Sequence, residues 1–364
     1  MDITIFGIVG QISIWWYLVI MLTLTHLTIA SVTLYLHRSK THGSVEFHPF
    51  IQHFFRFWLW LTTGMITKQW VMVHRKHHAT CETVDDPHSP QHYGIWKLLS
   101  GGVDLYKKAV ASPGIESYVS NELSTGLPDD WLECNVYSKY PWLGLVILAI
   151  LQIIILGLPG LIIFGIQAYW IPILAAGVIN GIGHYWGYRN FETPDESRNI
   201  FPWGILIGGE ELHNNHHAYQ TSPKLSAKPW EFDICWMYIR ILEYLNLAKF
   251  DSKRITSLPV SLPCENLLDK YELLELFKRH SYYIGAEFKK SAKHTFSEDL
   301  LKLICYFEHW LKFPNEVPAY ELELWVGKIN EYTDHHPFGS MELCYFANWF
   351  RSLHEADERV VKNL

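Results

Sequence analysis

The sequence predicts an all-α integral membrane protein, with long transmembrane helices joined to a helical domain on the cytoplasmic side. Three observations carry that expectation. Residues 3 to 36 contain no Lys, Arg, Asp or Glu. Residues 140 to 188 contain none either. Around these runs, eight of the 20 histidines fall in three short clusters. An uncharged run of about 18 residues or more is a membrane-span candidate, because a helix of that order crosses the hydrocarbon core.

The first run predicts one long helix over residues 1 to 37, with a span near 10–37. At 1.5 Å per residue it measures about 50 Å, so one end protrudes from a bilayer. The second run suits two spans, near 142–157 and 161–186, joined at Gly157-Leu158-Pro159-Gly160, where Gly and Pro favour a turn. Residues 50–73 are harder. Their uncharged core, Phe57 to Thr67, is only 11 residues between Arg56 and Lys68, too short to span. They predict one helix lying in the interface, anchored by Trp58, Trp60 and Trp70. Three crossings then place Arg38, Lys40, Arg75, Lys76, Lys97, Lys107 and Lys108 on one side, which the positive-inside rule makes cytoplasmic. The expected division is a membrane domain over 1–250 and a cytoplasmic helical extension over 251–364.

Composition narrows the class. Hydrophobic residues make up 49% and aromatics 15%, with 16 Trp. A net charge of -7 gives no reason to expect a nucleic-acid partner. The six cysteines are scattered with no C-x-x-C pair, which fits free thiols on the reducing side of a membrane. Asp2 and the absence of a basic leading segment argue against a cleaved signal.

The chemistry resides in the clusters His37-x4-His42, His74-x2-His77-His78 and His213-x2-His216-His217. Residues three to five apart are read as neighbours on successive helical turns, so several imidazoles can converge. Imidazole suits iron, zinc, copper and nickel. One structural zinc needs four ligands, so eight histidines point to two metals. Isolated histidines such as His26, His48 and His53 read as surface or core residues, and His88 and His92 as weaker ligand candidates.

The order of these boxes, with a hydrophobic hairpin between the second and third, resembles the membrane fatty acid desaturases. The likeness is nearest to the bacterial acyl desaturases and the stearoyl-CoA desaturase branch. Asp85-Asp86-Pro87-His88-Ser89-Pro90 and Asn180-Gly-Ile-Gly-His184-Tyr-Trp-Gly-Tyr188-Arg189 sharpen it. The resemblance covers about residues 10 to 245. It implies a di-iron centre of two Fe ions held by the eight box histidines and His184, with Asn180 linked through water. It also implies O2 as co-substrate and a saturated fatty acyl lipid or acyl-CoA, desaturated mid-chain in a delta-9-like manner. An alternative is an acyl, alkane or carotenoid hydroxylase of the same superfamily. A bacterial inner-membrane location with a cytoplasmic active site would follow.

No G-x-G-x-x-G fingerprint or fused electron carrier is visible, so electrons are expected from a separate ferredoxin- or cytochrome-like donor. Met72 and Val73 stand where the stearoyl-CoA branch carries a charged pair, which favours an acyl chain on a membrane lipid. Asp85, Asp86, Glu210, Glu211 and Asp195 are candidates to orient ligand imidazoles. Trp186, Gly183 and Gly187 are candidate walls of an acyl tunnel.

Overall fold

A computed structural model describes residues 3–119 and 126–256, with Tyr282 beyond them. The chain divides into two compact units, Met1–Tyr188 with Asp195–Thr256, and Arg189–Pro194 with Ser257–Leu364. Of the extension expected over 251–364, residues 251–256 lie in the first unit and the rest, apart from Tyr282, falls outside the described residues.

The first unit is mostly helical. Helix α1 runs Ile14–Thr41; its first part, Ile14–Ser31, is α-helical and its last, Val32–Thr41, π-helical. Helices α2 (Pro49–Thr63), α3 (Thr67–Thr80) and α4 (Ile95–Val110) follow. Helices α5 (Pro141–Leu156) and α6 (Leu158–Pro172) form the hairpin, and α6 continues through π-helical Ile173–Ile179 to a short turn at Ile182–His184. Helices α7 (His213–Ala218) and α8 (Ile234–Tyr244) complete the unit.

Two short sheets tie the ends, a detail an all-α reading lacks. Strand β1 (Glu46–Phe47) pairs antiparallel with β4 (Ala248–Lys249), placing Phe47 opposite Ala248. Strand β2 (Trp203–Gly204) pairs parallel with β3 (Phe232–Asp233). The main core packs the end of α1 against α2 and α8 through Leu34, Tyr35, Phe55, Leu59, Cys235 and Ile239.

Among the described residues, two helical runs, Ile14–Thr41 and Leu158–His184, are long and apolar enough to cross a membrane; α5 is shorter at 16 residues. Their outward faces are apolar: Trp15, Trp16 and Leu22 on α1, Val146 and Ile150 on α5, and Leu158 and Ile162 on α6 are exposed.

Two expectations change, and the three tryptophans gain partners. The N-terminal run is not one helix, because Gly7 and Gly10 take positive φ and the helix restarts at Ile14. The intervening turn is tied to the hairpin by Ile8 and Val9 N–H groups donating to the Ile154 and Ile155 carbonyls. Residues 50–73 are two helices, broken where Gly64 adopts a left-handed φ of 65°. The three tryptophans are also engaged inside the fold. Trp60 is buried and donates to the Tyr140 carbonyl, Trp58 donates to Thr28 on α1, and Trp70 stacks on His74 at 4.8 Å.

The hairpin turn is tighter than its four-residue signal. Gly157, at φ 69°, ends α5 and starts α6 at once, so Pro159 falls in the first turn of α6, where it needs no N–H partner. At Gly64 a Cβ would meet the Pro141 carbonyl oxygen at 3.0 Å and strain a left-handed φ. Gly64→Ala is therefore expected to lower stability by about 1–2 kcal/mol, read as a drop in the thermal midpoint of the detergent-solubilised chain. An unchanged midpoint would show that the break between α2 and α3 does not need glycine.

Candidate metal centre

The first box depends on the π-helical end of α1. In an α-helix, at 3.6 residues per turn, residues five apart point to nearly opposite faces. Here the His42 N–H donates to the His37 carbonyl, an i→i+5 bond, so the two residues stack one turn apart. Their ring centroids are 4.8 Å apart. The five-residue spacing thus works only through this local widening.

The second box occupies the last turns of α3, and the third makes up α7. In each, the i and i+4 histidines go to one group and the middle histidine to the other. His37, His42, His74, His78 and His216 bring one nitrogen each within 4.8 Å of one another, and so do His77, His184, His213 and His217. The first group is closed by His216, whose Nε2 lies 3.0 Å from Nε2 of both His37 and His78. In the second, His213 and His184 approach through Nε2 at 3.0 Å. Gly183 permits this, since a Cβ there would press on the His213 ring at 2.9 Å. The groups adjoin: the His78 and His217 rings are 4.6 Å apart.

Four imidazoles have their outer nitrogen committed to a carboxylate. Nδ1 of His37 donates to Glu210 at 2.8 Å, His77 to Asp86 at 3.0 Å, His184 to Glu82 at 3.1 Å and His217 to Asp195 at 2.9 Å. Where its carboxylate is ionised, and so only accepts, the Nδ1 supplies the proton, which in the neutral ring leaves the Nε2 lone pair facing inward. Nε2 of His42, His77 and His217 is buried with no hydrogen-bond partner. Burial first, then mutual repulsion, holds the imidazoles of His74, His78, His213 and His216 well below their ordinary range, so they are neutral. Neutral imidazole is the form that ligates a metal.

The carboxylates differ in environment. Burial would raise Asp86, yet His77 and His88 hold it below its ordinary value. Burial pushes Glu82 up to about 7 and Glu210 up to about 8. A cation among the imidazoles would pull both down. Convergent lone pairs, orphaned buried nitrogens and surrounding acids together make a donor set that fits two cations.

Of the acids expected to orient ligands, Asp86, Glu210 and Asp195 each meet the Nδ1 of a box imidazole. Asp85 is exposed, and Glu211 instead accepts the N–H groups of Leu206, Ile207 and Gly209 in its own loop. Sequence reasoning missed Glu82. It sits at φ 61°, its N–H donating to Asp86, and only that left-handed backbone aims its carboxylate at His184. Its one sequence signal was an acid four residues after His78. His88 joins His77 and Asp86 in a further cluster. The amide nitrogen of Asn180 donates to the Ala175 carbonyl, leaving its buried Oδ1 without a hydrogen-bond partner.

The non-histidine members of the boxes brace the site. Asn215 donates to Glu231 and the Leu225 carbonyl and accepts from Asn199. Arg75 caps the end of α1 through the Lys40 and Thr41 carbonyls.

The description "Fatty acid desaturase" belongs to the family model that matches residues 13–230. The chain belongs to the fatty acid desaturase family. Among its curated relatives within that family, the chloroplastic "Probable lipid desaturase ADS3.2" of Arabidopsis thaliana is 30% identical over 221 residues, covering 60% of this chain and 58% of that protein. The "sn-1 stearoyl-lipid 9-desaturase" of Synechocystis sp. is 30% identical over 60% of this chain and 66% of its own length. The "Acyl-CoA C20 Delta5-desaturase" of Anemone leveillei is 30% identical over 59% of this chain and 67% of its own. The chain thus spans less than two thirds of the first two of these desaturases. The matched region contains all three boxes, both histidine groups and the hairpin.

Proposed function

We propose that this chain desaturates a saturated fatty acyl chain, using dioxygen and two external electrons at a di-iron centre. The observation that carries the reading is the division of nine buried or half-buried histidines into adjoining groups of five and four, with four Nδ1 atoms committed to carboxylates. His37, His42, His74, His78 and His216 would hold one iron; His77, His184, His213 and His217 would hold the other, with Asn180 assisting. Bound iron with dioxygen would supply the oxidant that an unactivated methylene requires.

The protein's own part is placement and exclusion. Glu210, Asp86, Glu82 and Asp195 fix the ring orientations and keep Nε2 deprotonated. A narrow apolar crevice lies between α1 and α6, lined by Ile29, Val32, Ile171, Leu174, Ile179 and Ile207 among others. Val32 precedes His37 by one helical turn and Ile179 adjoins Asn180, so an acyl chain held there would run toward the histidines. This lining differs from the expected one: Gly183 and Gly187 close against His213 and the Asn199 carbonyl, and Trp186 is exposed.

In this reading α1, α5 and α6 cross a membrane, placing the boxes on the cytoplasmic face of a bacterial inner membrane and leaving electron delivery to a separate ferredoxin- or cytochrome-like donor. At 16 residues α5 reaches about 24 Å, so its turn at Gly157 would lie close to the edge of the hydrocarbon core. Uncharged Met72 and Val73 are buried in α3, which favours a lipid-linked acyl chain over acyl-CoA.

The test is lipid analysis of cells fed a deuterated saturated fatty acid while expressing the wild type or His78→Ala. A labelled mono-unsaturated chain in the wild type alone is expected, and it locates the bond. A hydroxylated chain would replace desaturation by hydroxylation. No labelled product from folded, iron-loaded protein with a competent donor would sink acyl chemistry. Asp86→Asn, which removes the charge facing His77, is expected to weaken iron binding by about 10- to 100-fold, measured by titration of the purified chain; unaltered affinity would make Asp86 a purely structural residue.

A further inference from the structure

We infer that Arg38, which follows the first histidine of the first box, is the positioning residue for the His37–Glu210 pair. The inference rests on the two-iron reading above. Arg38 is 1% exposed, and its guanidinium forks onto Asp233, Nη1 to Oδ2 at 2.9 Å and Nη2 to Oδ1 at 3.0 Å. The same two nitrogens donate to the Pro223 carbonyl at 2.8 Å and the Gly208 carbonyl at 3.1 Å. Asp233 is fixed in turn by the Leu225 N–H and by capping α8 at the Trp236 N–H.

The loop that Arg38 grips is the one that delivers Glu210. Gly208 and Gly209 take φ of 71° and 93°. A Cβ on Gly209 would collide with Asp233 Oδ1 and stand 2.6 Å from Arg38 Nη2, so the loop wraps directly over the ion pair. Glu211 closes the loop from within through the Leu206, Ile207 and Gly209 N–H groups. Glu210, between these fixed points, meets His37 at 2.8 Å. Consecutive side chains of α1 thus hold one loop, Arg38 at the Gly208 carbonyl and His37 at the Glu210 carboxylate.

A buried ion pair is weak evidence for added stability, since desolvation offsets much of the attraction. A planar fork with four acceptors does fix geometry, and lysine cannot reproduce it. Arg38 touches none of the histidine nitrogens, so it acts on the centre through Glu210.

The test uses the purified full chain titrated with Fe(II), followed by Mössbauer spectra of the 57Fe-loaded protein. Wild type should take two irons. Arg38→Lys, Gly209→Ala and Glu210→Gln should each weaken one of the two binding steps by about 10- to 100-fold and alter the same spectral doublet. The double variant Arg38→Lys with Glu210→Gln should be no worse than Glu210→Gln alone, as expected for residues acting in series. Ile239→Ala, in the same core but outside the linkage, should lower the unfolding temperature and keep both irons. Equal weakening of both steps, unaltered binding, additive losses, or iron loss in Ile239→Ala would each overturn the assignment while leaving a two-iron wild type intact. A wild type that binds no iron would overturn it together with the two-iron reading.

Discussion

Alanine at His216 is expected to abolish product formation and to leave the chain short of iron. His216 comes from the third box, yet its Nε2 meets His37 of the first and His78 of the second at 3.0 Å. Removing it takes away one donor and the contact that joins all three boxes. Loss of an outer hydrogen-bond partner alone costs about 10- to 100-fold, so loss of the ligand should exceed a hundredfold in labelled product. The exposed His53 serves as a control, and His53→Ala should retain both turnover and iron. Conversion in His216→Ala above about a tenth of wild type would remove His216 from the centre and with it the five-and-four division.

The second large effect concerns the hairpin. A Cβ on Gly160 would overlap the Gln152 carbonyl of α5, a backbone group that cannot move aside. Gly165, on the same helix, has open space around its Cβ position. Gly160→Ala is therefore expected to destabilise by about 3 kcal/mol or more, at the upper end of overpacking costs. Gly165→Ala should be neutral or slightly stabilising, by up to about 1 kcal/mol. Gln152 donates to Gln167 across the same contact, so separating the helices would also strip a buried amide pair. Thermal unfolding in detergent with size-exclusion profiles compares the two; equal midpoints would mean the helices do not approach as described.

Both predictions involve features read unequally well from the chain. The histidine boxes were legible because metal chemistry needs specific side chains at short spacing, and short spacing survives in one dimension. The hairpin was legible because a long uncharged run with Gly and Pro at its middle has few alternatives. The aromatic segment was expected as one helix and is two, broken at Gly64. Trp58, Trp60 and Trp70 carry the composition of an interface anchor, but Thr28, the Tyr140 carbonyl and His74 engage them within the fold. Nothing local distinguishes an indole facing a headgroup from one facing a distant carbonyl.

The sequence by itself determined the residue types of the centre, the two long apolar runs and the family. These follow from local composition and from motifs a few residues long. Only the tertiary structure decided which histidine joins which group, because that depends on helix phase and on the π-helical widening that stacks His42 over His37. It also decided which acids serve: Glu82 over Asp85, and Glu210 over its neighbour Glu211. Adjacent carboxylates look alike in a sequence, and a left-handed backbone or a loop gripped by a buried arginine settles which one reaches an imidazole.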